Sequence, residues 1–164
     1  MIVRRAVADD VAFVADLDWR AMHEPYLLGL PEVRLGERRE ASFQVWPSFF
    51  AAPESRVYVG LFHNERLGFA AVRCIVGEAE LDAIAVEPRA RKAGVGRALL
   101  AFTIADLFAA KTSRIGLEVR EKNTAARALY TAYGFEQEGV RRSYYENGDD
   151  AILFGLSLER FSFR

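Results

Sequence analysis

Apolar residues change their spacing several times along this chain, and each change marks an element. Ile2-Val3-Arg4-Arg5-Ala6-Val7 reads as a first strand over 2–7. Phe13, Val14, Leu17 and Ala21 then fall on one face of a helix. Asp9 or Asp10 stands where a carboxylate would accept the unpaired amides at its start. A second, less regular helical stretch is expected over 31–50, bounded by Pro31 and Pro47. From Arg56 the period drops to that of a strand: Val57, Val59 and Leu61 alternate with Tyr58, Gly60 and Phe62. His63-Asn64-Glu65-Arg66 reads as a hairpin turn into a strand near 67–76, and a third strand covers 78–86. Pro88 ends it, because proline has no N–H to give a ladder.

A helix is expected over about 95–110, with Leu100, Ile104, Leu107 and Phe108 on one stripe. Residues 114–119 read as a strand, and Asn123 caps a short helix that stops at Gly134. Two last strands, near 135–145 and 150–158, are joined through Asn147-Gly148, a pair that favours a tight hairpin. The order β-α-α-β-β-β-α-β-α-β-β predicts an α/β (α+β) fold, a mixed sheet with helices on its faces. No repeat or low-complexity linker interrupts it, and 164 residues suit a single domain over 1–164.

Composition narrows the function. A net charge of −1 argues against a bulk-electrostatic nucleic-acid binder. No apolar run reaches the ~18 residues that span a bilayer, and no signal peptide is readable, so neither membrane nor export is expected. The lone Cys74 cannot form an internal disulfide, which fits a reducing cytoplasm, and its apolar neighbours predict a buried thiol. With two histidines, His23 and His63, a His/Cys metal site is not expected, and His63 reads as an exposed turn residue.

Two constellations carry chemistry. The first is Arg91-Lys92-Ala93-Gly94-Val95-Gly96-Arg97, placed between a strand and an apolar-striped helix. Glycines let backbone approach a ligand, and a helix start offers unpaired N–H groups with partial positive charge. Arg89, Arg91, Lys92 and Arg97 crowd this point with no acid between Pro88 and Asp106, as a pyrophosphate would need. The plainer reading is a turn with solvated charges. The segment is neither a P-loop nor a three-glycine dinucleotide fingerprint. The second constellation is Leu117-Glu118-Val119, Asn123, Ala126, Leu129-Tyr130 and Tyr133-Gly134-Phe135. Glu118 stands on the face opposite Leu117 and Val119, either as an exposed glutamate or as a functional one. Tyr130 is either a core aromatic with its hydroxyl at an edge or a proton donor.

The segment 81–100 resembles the acetyl-coenzyme A motif of the GNAT superfamily of N-acetyltransferases, Gln/Arg-x-x-Gly-x-Gly/Ala, matched by Arg91, Gly94 and Gly96. Leu117-Glu118-Val119-Arg120, Asn123, Ala126, Leu129-Tyr130 and Gly134-Phe135 resemble the second half of that motif set. Over 81–154 the chain is most similar to the branch that acetylates protein amino termini, which includes the ribosomal-protein alanine N-acetyltransferases. The closing Tyr144-Tyr145 and Asp149-Asp150-Ala151 belong to that similarity. It is weak over 8–55.

The resemblance implies a mixed central sheet of about seven strands flanked by about four helices, and acetyl-CoA as cosubstrate. Backbone of Ile84, Ala85 and Val86 would pair with the pantetheine arm. Arg91 completes the motif, and the amides of Lys92, Ala93, Gly94, Val95, Gly96 and Arg97 would hold the pyrophosphate. Asn123 would also touch the cofactor. Glu118 matches the general base of that branch and Tyr130 its general acid, while Asp82 is the rival base. The chemistry is consistent. An amine must be neutral to attack a thioester, an α-amine has a pKa of about 7.7–8, and a nearby carboxylate can take its proton. Backbone N–H groups near Ala85 and Val86 could stabilise the developing oxyanion.

Three readings follow. The acceptor is the α-amine of a peptide or protein, for which adjacent Tyr144 and Tyr145, one ring on each face of a strand, would put one ring in the core and the other at the border of the groove. Alternatively it is a small amine (a polyamine, an amino-acid derivative or an aminoglycoside), with Trp19, Met22, His23, Tyr26 and Trp46 lining a pocket, although core packing explains those rings too. The third is a module that binds acetyl-CoA without turnover. The acceptor's identity and the oligomeric state, a homodimer included, stay open.

Overall fold

The alternating and helical patterns become β1 (Ile2–Arg5), α1 (Val11–Asp18), α2 (Glu32–Ala51), β2 (Ser55–Phe62), β3 (Glu65–Ile75), β4 (Glu78–Val86), α3 (Val95–Ala109), β5 (Arg114–Arg120), α4 (Thr124–Ala132), β6 (Glu136–Arg141) and β7 (Ala151–Ser157) in the computed structural model. The structure describes residues 1–27 and 31–159, so residues 28–30 of the divergent 8–55 stretch lie outside it. The seven strands hydrogen-bond in the order β1-β2-β3-β4-β5-β7-β6. β4 and β5 are parallel, and β7 is antiparallel to both β5 and β6, so the sheet is mixed as expected. Among the described residues no helix is long and apolar enough to cross a membrane.

The chain divides into two compact units. The first comprises Met1–Ala71 and Ala83–Leu100. On α1, Val14, Ala15, Leu17 and Asp18 are buried, the spacing of one helical face. The core they enter includes Trp46, Val57, Val59, Phe69, Ala71, Ala83 and Ala85. Trp46 presents its edge to Phe69 at 5.3 Å between ring centroids and donates Nε1–H to Asp18 at 3.3 Å. Core packing therefore accounts for Trp46, and Trp19 is buried as well. β2 and β3 are joined through His63 and Asn64, both at positive φ (46° and 63°), the two-residue turn that matches strand twist. His63 is exposed, as expected.

The second unit comprises Val72–Asp82 and Ala101–Arg164. Its buried apolar residues include Ile104 and Leu107 of α3, Ile115, Leu117 and Val119 of β5, and Phe154 and Leu156 of β7. Asn123 caps α4 by accepting the Ala126 amide at 3.1 Å, and Gly134, at φ +85°, follows its end.

Several expectations need correction. Asp10 does not cap the α1 amides: its carboxylate turns back to accept the Val7 N–H at 2.8 Å and binds two guanidiniums. The second helix is one continuous element, and Pro47 lies inside it rather than bounding it, at the cost of one backbone donor. Phe108 is 37% exposed, because the buried stripe of α3 ends at Leu107. Cys74 is half-buried rather than buried. β6 stops at Arg141, paired with Ala151, so residues 142–150 form a nine-residue loop rather than a tight Asn147-Gly148 hairpin.

Asp10 is the polar anchor of the first unit. With 0% exposure it takes Arg4 of β1 at 2.7 Å and Arg66 of β3 at 2.6 Å. Burial pushes its pKa up, but the Arg4 guanidinium, the Val7 amide and the Arg66 guanidinium outweigh burial and hold it at about 2. An unfolded aspartate titrates near 3.9, so this stability is fully present above about pH 4 and is lost as pH falls toward 2. The shift corresponds to about 2 kcal/mol. Asp10→Asn is therefore expected to unfold at lower urea concentration at pH 7, with the gap to wild type closing between pH 4 and pH 2. A gap that does not change with pH would remove the linkage.

Candidate active site

The segment after β4 turns twice in quick succession. Lys92 sits at φ +63° and Gly94 at φ +86°, the left-handed region that glycine enters freely and lysine does not. Alternating hands of backbone turn successive N–H groups toward one side, a geometry that cradles anions. The Gly94 carbonyl accepts the Ala98 amide at 3.0 Å, which starts α3 there. The amides of the first turn have no carbonyl one turn earlier, and they add the positive end of the helix dipole. Arg91, Lys92, Ala93 and Gly94 are exposed, while Val95 is buried and anchors the loop. Arg89 departs from the expected basic cluster, since it pairs with Glu65 at 2.6 Å. Ile84, Ala85 and Val86 close β4 ahead of this loop, and Arg91 Nε reaches the Val86 carbonyl at 3.4 Å.

β4 pairs with β5 only from Glu78↔Arg114 to Leu81↔Leu117. β4 continues to Val86 beyond that ladder, and β5 continues to Arg120 while paired with β7.

In the second unit, strand alternation gathers charge on one face. Leu117 and Val119 are buried, and Glu118 between them keeps 23% of its side chain exposed. Its Oε1 lies 3.1 Å from Arg141 Nη2, and the same carboxylate raises the pKa of the neighbouring Tyr144 hydroxyl. Asp82, the rival base, is spanned by Arg73, whose Nε reaches both carboxylate oxygens at 3.0 and 2.8 Å.

Tyr130 is 5% exposed and packs against Phe135 and Phe154, with ring centroids 5.7 and 6.3 Å away. Burial, with Tyr145 nearby, drives its hydroxyl pKa well above the ordinary value. Asn123 spends Oδ1 on the helix cap, which leaves its Nδ2 side for any ligand. Tyr144 and Tyr145 lie in the 142–150 loop, not on two faces of a strand. Asp149 anchors that loop, binding Lys122 and Asn147 with Arg120 at 3.5 Å, and Arg120 stacks 3.7 Å over the Tyr145 ring.

Sequence reasoning missed Glu80, Arg141 and the role of Tyr144 at Glu118. Glu80 was legible as the middle of Glu78-Ala79-Glu80-Leu81-Asp82, three acids on one strand face. Its Oε2 lies over Gly116, 2.7 Å from where a Cβ would stand, so a larger residue there would make the end of the Glu80 side chain shift. Two surface hollows of about 250 and 600 Å³ in this unit include neither Glu118 nor Tyr130. Among the described residues no three His, Cys, Asp or Glu side chains are placed to hold a metal ion.

Burial raises the Glu80 pKa, and the neighbouring carboxylates Asp82 and Glu118 raise it further against Arg114 and Arg73. A carboxyl whose folded pKa is raised costs stability once pH exceeds that value and costs nothing when protonated in both states. Glu80→Gln is therefore expected to melt at higher temperature than wild type at pH 8, with no difference at pH 4. A lower melting temperature at pH 8 would mean that Glu80 is held by a favourable contact instead.

The Acetyltransferase (GNAT) family model matches residues 13–135. The [ribosomal protein bS18]-alanine N-acetyltransferase of Escherichia coli K12 is 36% identical over 135 residues, covering 79% of this chain and 91% of that protein. The crystal structure of the Escherichia coli ribosomal-protein-S18-alanine N-acetyltransferase superposes with a TM-score of 0.79 at 27% identity, covering 99% of each chain. The PaiA N-acetyltransferase of Thermoplasma acidophilum, solved in complex with coenzyme A, shares the fold at TM-score 0.72 and 14% identity, over 93% of this chain and 96% of that one. The strand order, the loop before α3 and the match across most of the chain agree: this protein belongs to the GNAT family of acetyltransferases.

Proposed function

We propose that this enzyme transfers an acetyl group from acetyl-CoA to the α-amine at the amino terminus of a peptide or protein. The observation that carries the acceptor class is the 36% identity, over 79% of the chain, to an enzyme that acetylates a ribosomal-protein alanine. The family match over 13–135 takes in residues of both compact units, which supports reading 1–164 as one catalytic domain.

The residues present suit the cosubstrate, which supplies an activated thioester. Backbone of Ile84, Ala85 and Val86 would pair with the amides of the pantetheine arm, a reading supported by the end of the β4–β5 ladder at Leu81. The amides of Lys92, Ala93, Gly94, Val95, Gly96 and Arg97, with Arg91 beside them, would hold the pyrophosphate, supported by the two left-handed residues at the start of α3. Asn123 would contribute its Nδ2.

Glu118 would take the proton of the acceptor ammonium, directly or through one water. Asp82 is the poorer base because Arg73 already spans it. Tyr130 holds its proton firmly in its buried site and would donate a hydrogen bond to the departing sulfur.

Glu118→Gln is expected to lower kcat by ~10²–10⁴-fold, most severely at low pH where the amine is protonated, with coenzyme A affinity unchanged. Asp82→Asn should retain most activity, and the opposite ranking in stopped thiol-release assays would make Asp82 the base.

For the acceptor, a peptide with a free amino terminus, its blocked counterpart and spermidine are offered at equal concentration. Label is expected on the free peptide's α-amine. Preferential labelling of spermidine would assign a small-amine substrate, and equal labelling of both peptides would point to lysine.

A further inference from the structure

Glu118 is held by two partners of different character. Tyr144 belongs to a loop fastened at several points: Asp149 binds Arg120, Lys122 and Asn147, and Asp150 accepts the Ser143 amide at 2.8 Å. Arg141 is instead the last residue of β6 and is 53% exposed on its side chain. Its guanidinium also lies 5.4 Å from the Tyr144 ring centroid, a cation–π resting place that survives loss of the carboxylate contact. Arg73 is engaged with Asp82 and Arg114 with Glu138, while Glu80 adds negative charge near Glu118.

We propose that Arg141 is a displaceable counter-ion of Glu118, holding the position at the carboxylate that the acceptor's ammonium takes on binding. The inference rests on the acetyltransferase reading in which Glu118 receives the acceptor's proton. The exchange swaps one cation for another at Oε1, so the carboxylate is never left facing Glu80 without a compensating charge. A partly exposed ion pair contributes little, so the guanidinium leaves at small cost and competes only mildly with the substrate. Arg141 is thus a positioning residue: it touches neither the thioester nor the attacking nitrogen.

The test uses the full-length enzyme with a hexapeptide bearing a free amino-terminal alanine. Arg141→Gln removes the competitor, so its peptide KM is expected to fall about two- to fivefold while the KM for acetyl-CoA stays constant. Arg141→Lys should restore the wild-type value. Methylguanidinium, added at millimolar concentration to Arg141→Gln, should inhibit competitively against peptide and not against acetyl-CoA. A peptide KM that rises in Arg141→Gln at unchanged melting temperature, or methylguanidinium with no effect, would overturn the proposal. If the wild-type enzyme does not acetylate the peptide, the α-amine assignment fails, and the same measurements with spermidine decide the role of Arg141.

Discussion

Parallel pairing between β4 and β5 begins at Glu78↔Arg114 and ends at Leu81↔Leu117, although both strands go on. Backbone N–H and C=O groups are obligatory hydrogen-bonding groups, and a strand that outruns its ladder must satisfy them elsewhere. On β5 the deficit is confined to the edge away from β7, which pairs with it from Arg114 to Arg120, just as on β4 it is confined to the edge away from β3. On β4 it falls on the stretch from Asp82 to Val86, just ahead of the loop with two left-handed residues. A ligand with amides of its own followed by phosphates suits that sequence of features. The proposed grip on acetyl-CoA thus asks little of side chains, which is why a short motif of glycines and one arginine identifies it.

Electrostatics on the β4–β5 face then separates carboxylates that sequence spacing treats alike. Asp82 and Glu118 are both acids in strands with apolar neighbours, yet Arg73 grips Asp82 through two oxygens, while Glu118 has one guanidinium contact and one phenol. Glu80, over Gly116, has burial and two like charges against it. Gly116 leaves room for it: a Cβ there would make the end of the Glu80 side chain shift.

Much of this was legible in the chain. The eleven-element order follows from two periodicities and a few punctuating residues, with Asn123 and Gly134 bounding α4 where they were expected to. What failed did so for identifiable reasons. Asn147-Gly148 carries the composition of a tight turn, but β6 stops at Arg141, and Asp149 and Asp150 use their side chains to hold a wider loop. Asp10 looked like a helix cap because its position was right; two arginines distant in sequence claimed it instead. Pro47 looked like a boundary, yet Trp46 and Phe49 pack the helix on both sides of it. The partners of Glu118 could not be read because Arg141 and Tyr144 reach it only through the β5–β7–β6 register and the loop that follows.

Proton accounting explains why such a modest set of groups suffices. An α-amine gives up its proton near pH 8 and a thiol takes one near 8.5, so the overall transfer is close to level. Neither end needs an extreme acid or base. Tyr130, its pKa raised by burial, would be a poor source of a whole proton for a thiolate but a good neutral hydrogen-bond donor to one. A lysine acceptor, near 10.4, would place over two further pH units of demand on the carboxylate. Glu118 is paired with the Arg141 guanidinium on a face that also carries Glu80.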